Sequence, residues 1–192
     1  MRTSVAAAVL LLEVSMLAAC HGAASAQPPQ VPTGRPPYRI GAMTIPSGTV
    51  SLAGTVTVPE GPGPFPAVIV APSAGAVAQD EVLADGLTRR GIVVLRADAR
   101  NADDIVAMVM QVKTIPSVDP TRIGVVGHGA GASLAALAAT RSSSVTFVAA
   151  ISADRSAQTL LSKVTVPLYT ANGDPARADV IAALATWVLS RK

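Results

Sequence analysis

The sequence predicts an α/β fold over residues 38–192, with a mostly parallel sheet, helices on both faces and an N-terminal antiparallel hairpin. Short apolar runs, typical of strands buried on both faces, alternate with helical segments. Strands that alternate with helices form parallel sheets covered on both sides. Two longer strand-like segments joined by Pro-Ser-Gly precede the first buried run, which predicts the hairpin.

The hairpin opens the predicted domain. Its strands are residues 38–45 and 49–58, and the turn residues 46–48 join them. A loop rich in proline and glycine covers residues 60–66. The apolar run at 67–70 then has the composition of a strand buried on both faces.

Two helices and a strand follow. The first helix covers 79–90, where acidic residues in the first turn and arginines in the last turn complement the helix dipole, and Gly91 ends it. Residues 92–95 form the next buried strand. Asn101 is the predicted N-cap of a second helix that runs to about Thr114.

The C-terminal half continues the alternation. The sequence predicts a strand at 122–126, a helix of small residues at 132–139, and further strands at 145–151 and 166–170. The last helix covers 175–190, because its apolar residues recur on one helical face.

The N-terminus has the pattern of an export signal over residues 1–20: Arg2 precedes an apolar run, and small residues follow. The sequence Leu-Ala-Ala-Cys ending at Cys20 resembles a bacterial lipobox, which predicts lipid attachment at Cys20 and a periplasmic or cell-envelope lipoprotein held to the membrane by this anchor. Cleavage after Ala-Ser-Ala at 24–26 is the alternative and predicts a soluble secreted protein. Residues 21–37 are rich in proline and predict a semi-extended tether.

Composition excludes some partner classes. The net charge is only +3, and 3% of residues are aromatic, so we expect no nucleic-acid partner. Two histidines and one cysteine give no set of metal ligands, so we expect no metal and no cofactor.

Residues 122–131 carry the most informative pattern. A β-branched run enters Gly-His-Gly-Ala-Gly at 127–131, and a helix of small residues leaves it. This is the layout of the nucleophile elbow of α/β-hydrolases, in which a sharp turn between a strand and a helix presents a serine. Gly129 occupies the place of that serine, and glycine has no side chain that could attack a carbonyl.

The resemblance extends along the whole predicted domain. The chain is similar to α/β-hydrolases, and more narrowly to their dienelactone-hydrolase and acyl-peptidase-like branch. The segments that carry this resemblance are 52–55 with 59–62 and 66–70, then 83–96 with Asp98 and Arg100, then 119–128, and finally 161–174.

The resemblance implies a hydrolase fold with parts of its catalytic machinery missing. The acid position of the family corresponds to Asp174, which also precedes Pro175 at a helix start and is an alternative N-cap. The family's histidine should follow in a loop, but no histidine follows His128, and the segment that holds the last strand is absent. We therefore expect a truncated three-layer sandwich. Pro72 follows the third strand where the family has a glycine, and proline has no N–H to donate to an oxyanion.

Other residues keep two interpretations each. Ser73 is a candidate substitute nucleophile or oxyanion donor, or a turn serine after proline, and the N–H of Ala130 is a second oxyanion donor. His128 is expected to pack structurally rather than to catalyse. Asp98 and Arg100 form either a buried ion pair near the site or a solvated loop pair.

A different class of function also fits the turn. Gly127, Gly129 and Ala132 match a dinucleotide-binding fingerprint after a strand. Asp154 follows about 20 residues later, the separation in sequence at which this fingerprint has an acidic residue that binds the ribose. The expectation we favour is an exported, catalytically inactive pseudo-hydrolase that binds a small molecule, such as an ester or acid, or a partner. The alternatives are an active ester hydrolase with a non-standard serine and this dinucleotide-binding protein.

Overall fold

The computed structural model describes residues 37–191. The predicted export signal with Cys20, and the tether up to residue 36, lie outside the described residues. Within the described range, none of the helices combines the length and the apolar character that a membrane span requires.

A seven-stranded sheet with order β1-β2-β4-β3-β5-β6-β7 forms the centre of the domain. The strands are β1 (Tyr38–Ser47), β2 (Val50–Pro59), β3 (Phe65–Ala71), β4 (Val93–Ala97), β5 (Val118–His128), β6 (Phe147–Ile151) and β7 (Leu168–Ala171). β2 pairs antiparallel with β1 and β4, and the other pairs are parallel. The predicted fold class is confirmed.

Five helices cover the sheet. They are α1 (Val77–Thr88), α2 (Ala102–Val112), α3 (Gly131–Arg141), α4 (Arg155–Leu161) and α5 (Ala178–Leu189). The Asn101 cap of α2 is confirmed, because its side chain accepts hydrogen bonds from the N–H groups of Asp103 and Asp104. The short helix α4 was not predicted, because seven residues carry too little periodicity to distinguish a helix from a loop.

The predicted N-cap at Asp174 is wrong. Helix α5 begins at Ala178 after Arg177, and no side chain caps it. The Asp174 carboxylate instead accepts a hydrogen bond from the Ala176 N–H at 2.9 Å. This local turn uses the acceptor before the helix begins, which is the usual competition between aspartate turns and helix caps.

Two apolar cores lie on opposite faces of the sheet. Helices α2, α3 and α4 cover one face, and α1 and α5 cover the other. On the second face, Trp187 of α5 packs edge-on against Phe147 and also contacts Tyr169. Since α5 follows β7 after a short loop, it returns to the α1 face without a further strand between them.

Candidate functional site

Gly129 lies in the sharp bend between β5 and α3, with a φ of +51°. Its N–H donates to the carbonyl of Ile151 at 3.0 Å, and its own carbonyl accepts from the N–H of Ala132 at 3.2 Å. Glycine adopts this left-handed conformation at little cost. The bend therefore has the backbone of a nucleophile-presenting turn and presents no side chain.

Neighbouring glycines allow strand, helix and loop to approach closely. A Cβ on Gly127 would lie 2.3 Å from the carbonyl oxygen of Gly131, and one on Gly131 would lie 2.6 Å from the carbonyl oxygen of Ala71. Real Cβ atoms do not approach backbone this closely. These two glycines have a packing reason that is independent of catalysis.

Ser73 faces the empty position at the bend. Its Oγ lies 3.5 Å from the place that a Cβ on Gly129 would take. Ser73 also opens a turn in which its carbonyl accepts from the Ala76 N–H at 3.1 Å, with Gly75 at a φ of +76°. Ala130 is exposed at the residue before α3. The structure thus places Ser73 beside the bend, and a catalytic role for either residue stays a prediction.

The His128 imidazole is buried against α1. Its Nε2 lies 2.8 Å from Oδ1 of Asp80, and the two residues are only 6% and 7% exposed. This hydrogen bond ties the imidazole to the first turn of α1. The pairing with Asp80 was missed, since nothing in the sequence links two residues 48 positions apart.

The expected pairing of Asp98 with Arg100 is wrong. Arg100 pairs with Asp104 through Nε–Oδ2 and Nη2–Oδ1 contacts of 2.9 Å each, and Asp98 is exposed. The Asp104 carboxylate is fully buried and also accepts from the Ser47 hydroxyl. These hydrogen bonds, led by that of Arg100, hold the pKa of Asp104 well below its usual range despite burial. The position of Asp104 at the start of α2 aims its carboxylate back at the preceding loop, where it meets Arg100.

The loop after β7 holds Asp174, which is exposed. Beside it, Ser152 at the end of β6 has a φ of +48°, rare for a residue with a side chain. The Ser152 hydroxyl donates to the Gly173 carbonyl and accepts from the Gly173 N–H, each at 2.9 Å. These two bonds hold the strained residue and join the loops after β6 and β7. Sequence reasoning missed Ser152, because its partner Gly173 lies 21 positions away in the chain.

A cavity of about 610 Å³ opens near the carboxyl ends of β3 and β4, beside the first half of β2 and the start of α1. Ser73 and Asp80 line it together with Arg96, Glu81 and Asp98. Arg96 Nη2 lies 3.6 Å from Glu81 Oε1, and its buried Nε has no hydrogen-bond partner within residues 37–191. The cavity therefore offers an unsatisfied guanidinium donor beside carboxylates, and this combination suits a small polar molecule. No group of three or more potential metal ligands occurs in the described part of the chain.

The alternative dinucleotide site uses the same bend. Asp154, which should reach a ribose, instead caps α4: its Oδ1 accepts from the Ala157 N–H at 2.7 Å and from the Ser156 hydroxyl at 2.8 Å. Ala132 is fully buried in the first turn of α3. Dinucleotide binding stays a prediction.

Comparisons with known proteins agree with the fold. No family model matches the chain. Esterase EstD of Thermotoga maritima is 32% identical over 47% of this chain, which spans only 28% of that esterase. An esterase of Pyrobaculum calidifontis is 25% identical with a TM-score of 0.54, over 60% of this chain and 45% of its own.

A dienelactone-hydrolase-like protein of Klebsiella pneumoniae has a TM-score of 0.63 at 12% identity, over 80% of this chain and 99% of its own. The chain thus spans less than half the length of the first two relatives but nearly all of the third. The described domain has the α/β-hydrolase fold, and the chain is similar to esterases and dienelactone-hydrolase-like proteins of that fold.

Proposed function

We propose that this chain is an exported α/β-hydrolase-like protein that binds a small ester or carboxylic acid without hydrolysing it. The observation that carries the proposal is Gly129 in the bend. Ester hydrolysis by this fold needs a nucleophile raised from that turn. With only hydrogen on Gly129, no atom at the bend can attack a carbonyl.

The lack of a base supports the proposal independently. No histidine follows His128 in the sequence, and the Nε2 of His128 is engaged by Asp80. A catalytic triad needs an imidazole that takes the proton of the nucleophile and an acid that orients the imidazole. Asp174 is therefore an acid position without a partner histidine.

The cavity supports retained binding. Ligand pockets in α/β sheets lie at the carboxyl ends of the strands, where this cavity opens. Only 22% of the Arg96 side chain is exposed, and its buried Nε has no acceptor within residues 37–191. A carboxylate or an ester carbonyl supplies such an acceptor.

Export rests on the sequence pattern. We propose that residues 1–20 direct export, that Cys20 carries lipid, and that the tether 21–37 separates the domain from the membrane. Labelled palmitate should enter the wild-type protein and not the Cys20→Ser variant. Label in neither, with a mature chain that begins after residue 26, would support the soluble form.

A second candidate is ester hydrolysis with Ser73 as the nucleophile. The observation that favours it is the 3.5 Å separation between the Ser73 Oγ and the position of a Cβ on Gly129. A hydroxyl there would stand close to the place from which the family's nucleophile acts.

The two candidates differ in turnover. Purified protein mixed with p-nitrophenyl acetate should give neither a burst nor a steady release of nitrophenol above the buffer rate. A burst that disappears in Ser73→Ala but persists in the control Ser133→Ala would establish the second candidate.

The binding part of the proposal is tested by thermal denaturation. Acetate and benzoate should raise the melting temperature of the wild type and of the control Arg39→Gln, and should raise it less in Arg96→Gln. No shift in any of the three would refute the ligand.

A further inference from the structure

A second cavity lies at the other end of the strands from Gly129, where the parallel strands begin. Its volume is about 340 Å³, and it is formed where β5, β6 and β7 begin and where α5 ends. Its lining residues are Thr121, Arg122, Thr146, Phe147, Pro167, Ser190 and Arg191. No part of the predicted hydrolase site contributes to it, so this cavity is independent of the proposed function.

Two arginines, Arg122 and Arg191, line this cavity. The Nε atoms of Arg122 and Arg191 are both buried, and neither has a hydrogen-bond partner within the described residues. A guanidinium carries a permanent positive charge and five N–H donors, so each arginine has donors besides its Nε. The two residues therefore bring two positive charges to one cavity.

The two arginines are fixed in position by other contacts. Arg122 Nη2 donates to the Leu189 carbonyl at 3.3 Å. The Arg191 guanidinium lies over the Trp187 ring, 4.7 Å from its centroid, and its Nη2 donates to the Ser190 hydroxyl at 3.4 Å. Side chains that are already held lose little conformational entropy when they bind a ligand.

The remaining polar groups at this cavity leave the arginines as its main donors, which favours a negatively charged ligand. The hydroxyls of Thr121, Thr146 and Ser190 already donate to Asp119, Ile123 and Trp187. Among residues 37–191, no carboxylate lines the cavity. The nearby Asp119 is satisfied by the hydroxyl and the N–H of Thr121, which, with the positive field of Arg122, lower its pKa. The donors left for a ligand are therefore guanidinium N–H groups.

One effect opposes an anion here. The cavity touches the C-terminus of α5, where the helix dipole presents a partial negative charge of about half an electron. Two full positive charges outweigh this partial charge, and Arg122 already satisfies one of the terminal carbonyls.

We propose that this cavity binds a phosphate group through Arg122 and Arg191. The planar guanidinium offers paired N–H donors that match phosphate oxygens, and the volume leaves room for part of the molecule that carries the phosphate. The phosphate could come from a free anion or from a phospholipid headgroup, and the two sources share the same recognition.

Trp187 makes the site directly measurable, because it is the only tryptophan of the chain. The full-length protein should be titrated with inorganic phosphate at constant ionic strength, with sodium chloride as the balancing salt. We expect a saturable change in Trp187 fluorescence and a rise in melting temperature. A change that sodium chloride reproduces, or no change, overturns the proposal.

Variants locate the binding. Arg122→Gln and Arg191→Gln should each weaken phosphate affinity at least tenfold, while Arg155→Gln on exposed α4 should bind as the wild type does. Equal affinity in all four proteins overturns the proposal. If either variant fails to fold, broadening of the phosphate ³¹P resonance is compared between the wild type and Arg155→Gln. Equal broadening by both proteins supports the proposal. Broadening by the wild type alone, or by neither protein, overturns it.

Vesicle flotation distinguishes a phospholipid headgroup from a free phosphate compound as the source of the phosphate. Flotation with phosphatidylglycerol vesicles that inorganic phosphate displaces, and that Arg191→Gln abolishes, identifies a lipid headgroup. Saturable phosphate binding without flotation identifies a free phosphate compound. Either result supports the site, whereas flotation that is unchanged in both arginine variants overturns the headgroup as its ligand.

Discussion

At the scale of single residues, the proposal that this domain binds esters without hydrolysing them rests on Gly129. Its backbone keeps the left-handed conformation of the bend, with a φ of +51°, and the space beside it is open except for the Ser73 Oγ at 3.5 Å. A Cβ would therefore fit sterically, and its cost would come from the backbone. The glycine keeps the turn and removes both the strain and the nucleophile.

Gly129→Ser tests this interpretation. We expect the free energy of unfolding to fall by about 1 kcal/mol, because a residue with a Cβ is strained at this φ. We expect no esterase activity, because the proposed function assigns no base to this site. Urea denaturation and p-nitrophenyl acetate turnover measure the two outcomes.

Gly48→Ser is the matched control for that variant. Gly48 has a φ of +61° with open space around it, far from the bend. It should lose a similar stability of about 1 kcal/mol. Rapid ester turnover by Gly129→Ser alone would reveal a base that the structure does not identify.

At the scale of elements, Asp104 joins the hairpin to α2. Its buried carboxylate accepts from Ser47 at the end of β1 and from the backbone N–H and side chain of Arg100 before the helix. Since the pKa of Asp104 is lowered in the folded protein, its ionised form stabilises the fold above the unfolded pKa of about 4. This stabilisation is lost as the pH falls from there toward the folded pKa.

Asp104→Asn should therefore be pH-dependent. At pH 7 we expect a loss of about 2 kcal/mol, the size of charge-assisted hydrogen bonds, and a smaller difference from wild type below about pH 4. The exposed neighbour Asp103 is the control: its surface pair with Arg141 should contribute about 0.5 kcal/mol at most. A wild-type-to-variant gap that stays constant from pH 7 to pH 2.5 would contradict the pKa shift.

The helix caps give a second test at this scale. Asn101→Ala should cost about 1 kcal/mol, because the N-terminus of α2 loses its two acceptor contacts. Asp174→Ala should cost less than about 0.5 kcal/mol, as an exposed turn residue does, since Asp174 caps no helix. Chemical denaturation of both variants measures the difference, and equal losses would restore Asp174 as a cap.

These elements also show what a sequence can predict. The buried strands and α2 were predictable, because apolar runs, helical periodicity and the Asn101 cap are local signals. The partners of Arg100 and His128 were not. Which carboxylate each of them meets depends on how the loops and α1 pack on the sheet, and that packing leaves no mark in local spacing.

At the scale of the whole molecule, the sheet order and the two apolar cores match the α/β-hydrolase fold, and the chain returns from β7 to α5 on the α1 face. The absence of the family's last strand and histidine stays a prediction from resemblance. The structure shows that α5 begins four residues after Asp174. The arginine-lined cavity at the other end of the strands could not be predicted from the sequence. Arg122 and Arg191 line one cavity only because α5 packs beside the start of β5.

The most direct test of the central claim is labelling of the purified full-length protein with a fluorophosphonate probe, followed by intact-mass analysis. Such probes react with serines that are activated as nucleophiles. We expect no adduct on wild-type protein under conditions that label an active esterase completely. A single stoichiometric adduct mapped to Ser73, or to any other serine, would contradict the claim that this hydrolase fold has no nucleophile.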